Sequence, residues 1–183
     1  GATSQNNWTA FENVTGTSIL GERGLFNGNI SWMATDLKGK GTQAMVYRYD
    51  QLNRIKKAVS HTWEESTNSW ANGNGKYNTN YSYDGNGNLL TLFRANENGD
   101  GMDSLTYHYI TEAGKRTNKL DHVNDLLGIV QTDSADLADQ VNENYVYDEI
   151  GNLIEDKSEG ITNIEWNVYG KVRSVTKTVA SKT

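Results

Sequence analysis

The feature that most constrains this chain is a short unit that recurs along it, an aromatic strand running into Asp and then Gly or Asn three residues later. Tyr47-Arg48-Tyr49-Asp50 leads to Asn53-Arg54-Ile55, Tyr81-Ser82-Tyr83-Asp84 to Gly87-Asn88-Leu89, and Tyr145-Val146-Tyr147-Asp148 to Gly151-Asn152-Leu153. Weaker copies flank these three. Trp166-Asn167 leads to Gly170-Lys171-Val172 at the same offsets, and Gly28-Asn29-Ile30-Ser31-Trp32 reads as the back half of an earlier unit. Tyr107-His108-Tyr109 opens another unit, whose back half reads as Asn118-Lys119-Leu120 after a longer turn. The spacing between copies is uneven, so the pattern predicts an irregular array and not a strict solenoid.

Each part of the unit has a physical reason. Alternate residues of a strand share a face, so Tyr47 and Tyr49 point the same way. Asp is favoured at the head of a type I turn and Gly at its fourth position. A type I turn followed by a left-handed residue is a common bulged link between two antiparallel strands. At Asn53 the left-handed place falls to Asn, the next most tolerant residue. Aliphatic returning strands follow, such as Leu89 to Phe93 and Leu153 to Glu155. Each unit therefore reads as strand, tight turn, strand. Thr42 to Tyr49 and Ile161 to Val168 carry strand signals as well. Gly160 reads as lying in a looser connector.

The absence of proline agrees with this. Average usage would give roughly nine in a chain this long, and there are none among the 183 residues. Proline cannot donate to a sheet ladder. Ten Tyr and five Trp against three Phe supply large side chains with a polar tip, suited to half-exposed sheet. The segment Asp121 to Asn144 is rich in Asp, Asn and Gln and weakly periodic. It reads as a surface excursion, with one short helical turn at Asp133 to Gln140. The expected organisation is an N-terminal segment 1–23, a repeat module 24–176 with that excursion at about 121–144, and a tail 177–183. The opening Gly1-Ala2-Thr3-Ser4-Gln5-Asn6-Asn7 has no signal-peptide pattern. It reads as an artificial junction followed by an incomplete repeat, so the natural chain is expected to begin earlier.

Composition narrows the function classes. The formal net charge is −6 and basic blocks are missing, which argues against nucleic acid as a partner. No apolar run approaches the ~20 residues of a membrane helix, so no membrane insertion is expected. Without cysteine, thiol catalysis, disulfides and cysteine-ligated metals are excluded. Neither a Gly-x-Ser-x-Gly elbow nor a phosphate-binding glycine loop is present. Turns account for most of the Asp residues, so no acid pair is singled out and no catalytic residue is expected. His61, His108 and His122 are the three histidines. A zinc site would need three or four convergent ligands, and His108 falls on the strand face opposite Tyr107 and Tyr109.

Two further segments carry a binding reading. Asn96, Asn98, Asp100 and Asp103 place oxygen ligands along a Gly-rich loop in the manner of a calcium site, although Tyr107 stands where a bidentate Glu would close it. The same residues also read as a hairpin connector. No cofactor other than this calcium is expected. Trp63 and Trp70 flank the polar stretch Glu64 to Ser69. Exposed indoles there would stack on a glycan; otherwise they pack between hairpins.

The motif Tyr-x-Tyr-Asp-x-x-Gly-Asn-Leu, nearly complete at Tyr81–Leu89 and Tyr145–Leu153, resembles that of the RHS, or YD-repeat, family. The repeat residues Tyr47, Tyr49, Asp50, Tyr81, Tyr83, Asp84, Gly87, Tyr145, Tyr147, Asp148, Gly151 and Gly170 carry the resemblance, over roughly Gly24 to Thr176. It implies an all-β fold in which antiparallel hairpins add side by side into a curved, spiralling sheet, part of a β-shell. It also implies a non-catalytic scaffold, secreted or on a bacterial cell surface. The partners implied are further repeats of the same polypeptide and an encapsulated C-terminal toxin. The Pro-rich core segment that ends bacterial arrays is missing from this proline-free sequence, and the resemblance is to a fragment or an unusually small member. The alternative is a carbohydrate- or surface-binding β module whose exposed Trp and Tyr contact a cell-surface glycan.

Overall fold

A computed structural model of the chain describes residues 27–39, 41–127 and 139–178. Over these residues the protein is all-β, built from antiparallel hairpins. The strands are β1 (Trp32–Leu37), β2 (Gly41–Tyr49), β3 (Ile55–Glu64), β4 (Ser69–Asn72), β5 (Thr79–Tyr83), β6 (Leu89–Ala95), β7 (Gly101–Glu112), β8 (Lys115–Asp125), β9 (Tyr145–Tyr147), β10 (Leu153–Asp156), β11 (Ile161–Trp166) and β12 (Val172–Lys177). Strand order follows chain order, β1-β2-β3-β5-β6-β7-β8, with β4 on a second stretch of β3, and then β9-β10-β11-β12 in a separate sheet. This is what successive hairpins without crossovers produce.

The chain divides into two compact units, Gly1–Tyr81 with Phe93–Met102, and Ser82–Leu92 with Asp103–Thr183. The first has an indole core. Trp32 stands opposite Val46 and Ala34 opposite Ala44 in the β1–β2 register, so these four share a face. Trp63 on β3 stands opposite Trp70 on β4. The two rings meet edge to face with centroids 5.4 Å apart, a favoured arrangement for aromatic pairs. Ala44, Val46, Trp63 and Trp70 form the buried cluster, with Trp32 and Ala34 packed on it. Small alanines between large indoles let the layer interdigitate.

In the second unit much of what is buried is polar. Leu105, Val123 and Ile164 are joined by Asp103, His122, Asp125 and Asn144. Asn144 is fully buried and acts as a hub. Its Oδ1 accepts from the amide and hydroxyl of Ser158, and its Nδ2 donates to Asp156. Asp125 Oδ1 accepts from the amides of Ser104 and Leu127. Asn144 Oδ1 and Asp125 Oδ1 are tolerated inside because each accepts from backbone amides.

Three expectations need correction or bounds. The excursion begins later than Asp121, because β8 continues through Asp125. Asp139 and Gln140 return to β8: the Val123 amide donates to Gln140 Oε1, the Gln140 amide donates to the Val123 carbonyl, and the Asp125 amide donates to Asp139 Oδ1. Most of the expected helical turn at 133–140, all of segment 1–23 and residues 179–183 of the tail lie outside the described residues. The turn between Tyr109 and Leu120 is not long. β7 and β8 run on to a two-residue link at Ala113 and Gly114, both left-handed, a combination that matches the twist of the flanking strands.

Trp63 Nε1 is buried without a hydrogen-bond partner among the described residues. Its value is therefore volume and ring contact, not its polar edge. Trp63→Ala should lower unfolding free energy by about 3–5 kcal/mol, the usual range for emptying an aromatic core site. Trp63→Phe should cost far less. Urea denaturation of the two variants checks this.

Candidate functional site: the repeated turn and its aromatic bond

The structure places each repeat-motif Asp at the head of a turn. The Asp148 amide donates to the Asn152 carbonyl, and the Gly151 amide donates back to the Asp148 carbonyl. The Asp148 carboxylate closes the arrangement: Oδ1 accepts from the amides of Ile150 and Asn152, and Oδ2 accepts from the Asn152 side chain. Asp84 makes the same set of bonds with Asn86 and Asn88. Asp50 makes it with Leu52 and Arg54, where the Arg54 guanidinium replaces the side-chain amide at 2.7 Å. The fourth turn residue is left-handed in every case, Asn53 at φ 61°, Gly87 at 94° and Gly151 at 93°. This is the type I turn with a bulge that the spacing predicts.

Two more turns have the same bonds with Asn in the place of Asp. Asn167 Oδ1 accepts from the amides of Tyr169 and Lys171, and Gly170 takes the left-handed position at φ 69°. Asn96 Oδ1 accepts from the amides of Asn98 and Asp100, with Gly99 at φ 91°. Asn96–Asp100 is thus a fifth turn of the repeat type, joining β6 to β7. Its first oxygen is occupied by backbone amides, while Asp103 lies fully buried on β7. Among the described residues no group of three or more His, Asp or Glu is arranged to hold a metal ion. The turn could have been found by applying the Asp-x-x-Gly spacing with Asn allowed at its head.

In four units the second aromatic makes a bond that side-chain patterning did not reveal. Tyr49 Oη donates to the Ile30 carbonyl at 2.9 Å, and Tyr109 Oη to Leu89 at 2.8 Å. Tyr147 Oη donates to Leu120 at 3.0 Å, and Trp166 Nε1 to Leu153 at 2.7 Å. All four acceptors occupy one motif position, the aliphatic residue that opens the preceding unit's back half. Each of these four units is therefore tied to the one before it through the tip of an aromatic ring. Burial pushes the Tyr109 and Tyr147 phenols above their ordinary value, in the direction that favours the donor form. Of the first aromatics, Tyr145 Oη accepts from Gln140 Nε2. Tyr47 lies half-buried on β2 and Tyr81 half-buried on β5; Tyr83, the second aromatic of its unit, is half-buried on β5 as well.

The other candidates separate. Trp63 and Trp70 are 8% and 4% exposed, so neither offers a ring face to a glycan and that role is corrected to core packing. His108 and His122 stand opposite each other on β7 and β8, with rings stacked 4.3 Å apart, and His122 Nδ1 pairs with Asp121. His61 belongs to the other unit and is buried; desolvation pushes its pKa down. Gly160 is also left-handed, at φ 63°, so it is not the loose connector position the sequence suggests.

Partial desolvation pulls the turn carboxyls Asp50, Asp84 and Asp148 up, but hydrogen bonds from their own turns outweigh it and leave all three below the ordinary value. A carboxylate held ionised with its lone pairs occupied is a weak base, and its work here is to organise the backbone. No family model matches the sequence, and neither does any curated protein.

A depressed carboxyl stabilises the fold fully above its unfolded pKa, about 3.9, and that contribution is lost as pH falls through the folded value. Urea midpoints of the parent should therefore fall as the pH drops below ~4. Asp148→Asn should melt close to the parent at neutral pH, as Asn96 and Asn167 suggest, and lose less in acid. Asp148→Ala should melt lower at every pH. Separately, Gly151→Val should cost about 1–2 kcal/mol, because a β-branched residue is strained at positive φ. Gly160→Val should cost a similar amount.

Proposed function

We propose that the chain is a non-catalytic scaffold segment of a longer secreted or cell-surface YD-repeat protein, part of a β-shell that encloses a C-terminal toxin domain. The observation that carries this reading is the aromatic bond between successive units. The residues that recur in sequence are spent on turns and on joining one hairpin to its predecessor, which is what a scaffold requires. Tyr-x-Tyr-Asp-x-x-Gly-Asn-Leu supplies every part of that joint: the donor ring, the turn, the left-handed residue and the acceptor carbonyl. Nearest-neighbour joints of this kind let an array grow by adding hairpins. The partners in this reading are further repeats of the same polypeptide and the enclosed domain. The sugar-binding alternative would have to rely on rings other than Trp63 and Trp70.

The reading is tested by raising antibodies to the purified chain and probing cellular, surface and secreted fractions of the organism that makes it. The expected outcome is a band several times larger than 20.4 kDa in the surface or secreted fraction. A band of about that mass confined to the cell interior would overturn it.

A further inference from the structure

We propose that the second face of the β1–β3 sheet holds a binding site for a small aromatic carboxylate, with its ring on the Met33–Met45 row and its anionic group at Lys76. The site lies within the first compact unit. It uses none of the turn oxygens or aromatic joints described above, so it stands independently of the scaffold reading.

Strand alternation creates the surface. Trp32, Ala34, Ala44 and Val46 belong to the indole core, so the residues between them face the opposite way. Cross-strand register sets those residues in two rows. Met33, Met45 and Ser60 stand opposite one another in the first row, and Thr35, Gln43 and Thr62 in the second. The first row offers thioethers, the second hydroxyls and an amide. The surface therefore changes from apolar to polar over two residues, roughly 7 Å along the strands.

The segment after β4 turns this surface into a recess. Gly73 sits directly on Ser60: its amide donates to the Ser60 carbonyl, and a Cβ at position 73 would fall 2.1 Å from Ser60 Oγ. Lys76 and Tyr77 then line the recess together with both methionines. Tyr77 is held at φ 54°, with its amide donating to the Asn96 carbonyl. Such a conformation is costly for a bulky residue and marks a place where the surroundings impose it. Met33, Leu37 and Tyr77 are 49%, 57% and 49% exposed. Three large apolar side chains are thus left in water around one recess, the pattern of a ligand site with a few polar groups converging on it.

Volume and chemistry select the occupant. The recess measures about 170 Å³. A cavity of ~150 Å³ takes a benzene ring, so one ring with a short substituent is the size that fits. Methionine sulfur makes favourable contacts with aromatic rings, and Met33 and Met45 offer two such atoms side by side. Among the described residues on the walls, Lys76 is the one Lys, Arg, Asp or Glu. Its ammonium, on a flexible stem, favours an anion. Hydroxyl and amide donors of the Thr35–Gln43–Thr62 row suit the same group. An aliphatic acid would forgo the ring–sulfur contacts, and a cationic ligand would meet Lys76.

The test titrates phenylacetate into the full chain and follows the methionine methyl signals by NMR. Saturable shifts of Met33 and Met45 are expected, with a dissociation constant of roughly 1 mM or below. Phenylacetamide, of the same shape but uncharged, should bind several-fold more weakly. Lys76→Gln should weaken phenylacetate several-fold and leave phenylacetamide unchanged. Met33→Glu, at an exposed position of the edge strand β1, should abolish phenylacetate binding while the amide spectrum remains that of the folded chain. No saturable shift of the two methyls, or shifts scattered over the surface, would overturn the site. Equal affinity for the two probes, or Lys76→Gln binding phenylacetate as the parent does, would overturn the carboxylate class.

Discussion

The structure depends on one local interaction, the acceptance of two backbone amides by a single side-chain oxygen at the head of each turn. A type I turn with a bulge leaves amides at the second and fourth following residues that the opposite strand does not reach. Asp50, Asp84, Asn96, Asp148 and Asn167 each take both. That fixes where one strand ends and the next begins. It also fixes the register, so the pair beyond the turn has its carbonyl facing outward. At Leu89 and Leu153, which follow the Asp84 and Asp148 turns, the carbonyls that accept the aromatic bonds of Tyr109 and Trp166 take the orientation the turn has set. A change at the turn oxygen therefore acts on two hairpins.

Electrostatics and burial are divided between the two levels of this design. The turn carboxylates are held ionised by amides of their own turn, so they need no partner from another strand. Burial raises the Tyr109 and Tyr147 phenols above their ordinary value, in the direction that favours the donor form. In the first compact unit the joint is backed by a core of indoles and small aliphatics. In the second, buried polar residues such as Asn144 and Asp125 take that place, with Asn144 Oδ1 and Asp125 Oδ1 accepting from backbone amides. This explains how a chain with 36% hydrophobic residues fills its interior.

Hairpins, turn positions and the all-β class were legible because each rests on residue type at a fixed offset. Asp or Asn followed by Gly three residues on has one economical meaning in backbone geometry. The parts that stayed hidden rest on backbone groups or on pairing between distant residues. The acceptor of each aromatic bond is a carbonyl, which every residue has, and only the constant aliphatic at that position hinted at it. Trp63 and Trp70 looked able to face solvent because their burial comes from cross-strand pairing and from β1 and β2. Asp121 to Asp125 lacked strand periodicity because His122 and Asp125 are buried polar residues. The Ala113–Gly114 link was missed because alanine seldom takes a left-handed conformation. Asn96 was read toward calcium because two acids follow it, although its own offset to Gly99 matched the repeat.

The central claim is that units are joined to their predecessors through the second aromatics Tyr49, Tyr109, Tyr147 and Trp166. Isotope-edited proton NMR tests it most directly, through contacts between those rings and the preceding unit. The account requires cross-peaks from the ring edges of Tyr49, Tyr109 and Tyr147 to the α-protons of Ile30, Leu89 and Leu120, and from the Trp166 indole proton to Leu153. Rings whose contacts were confined to their own hairpin would contradict it.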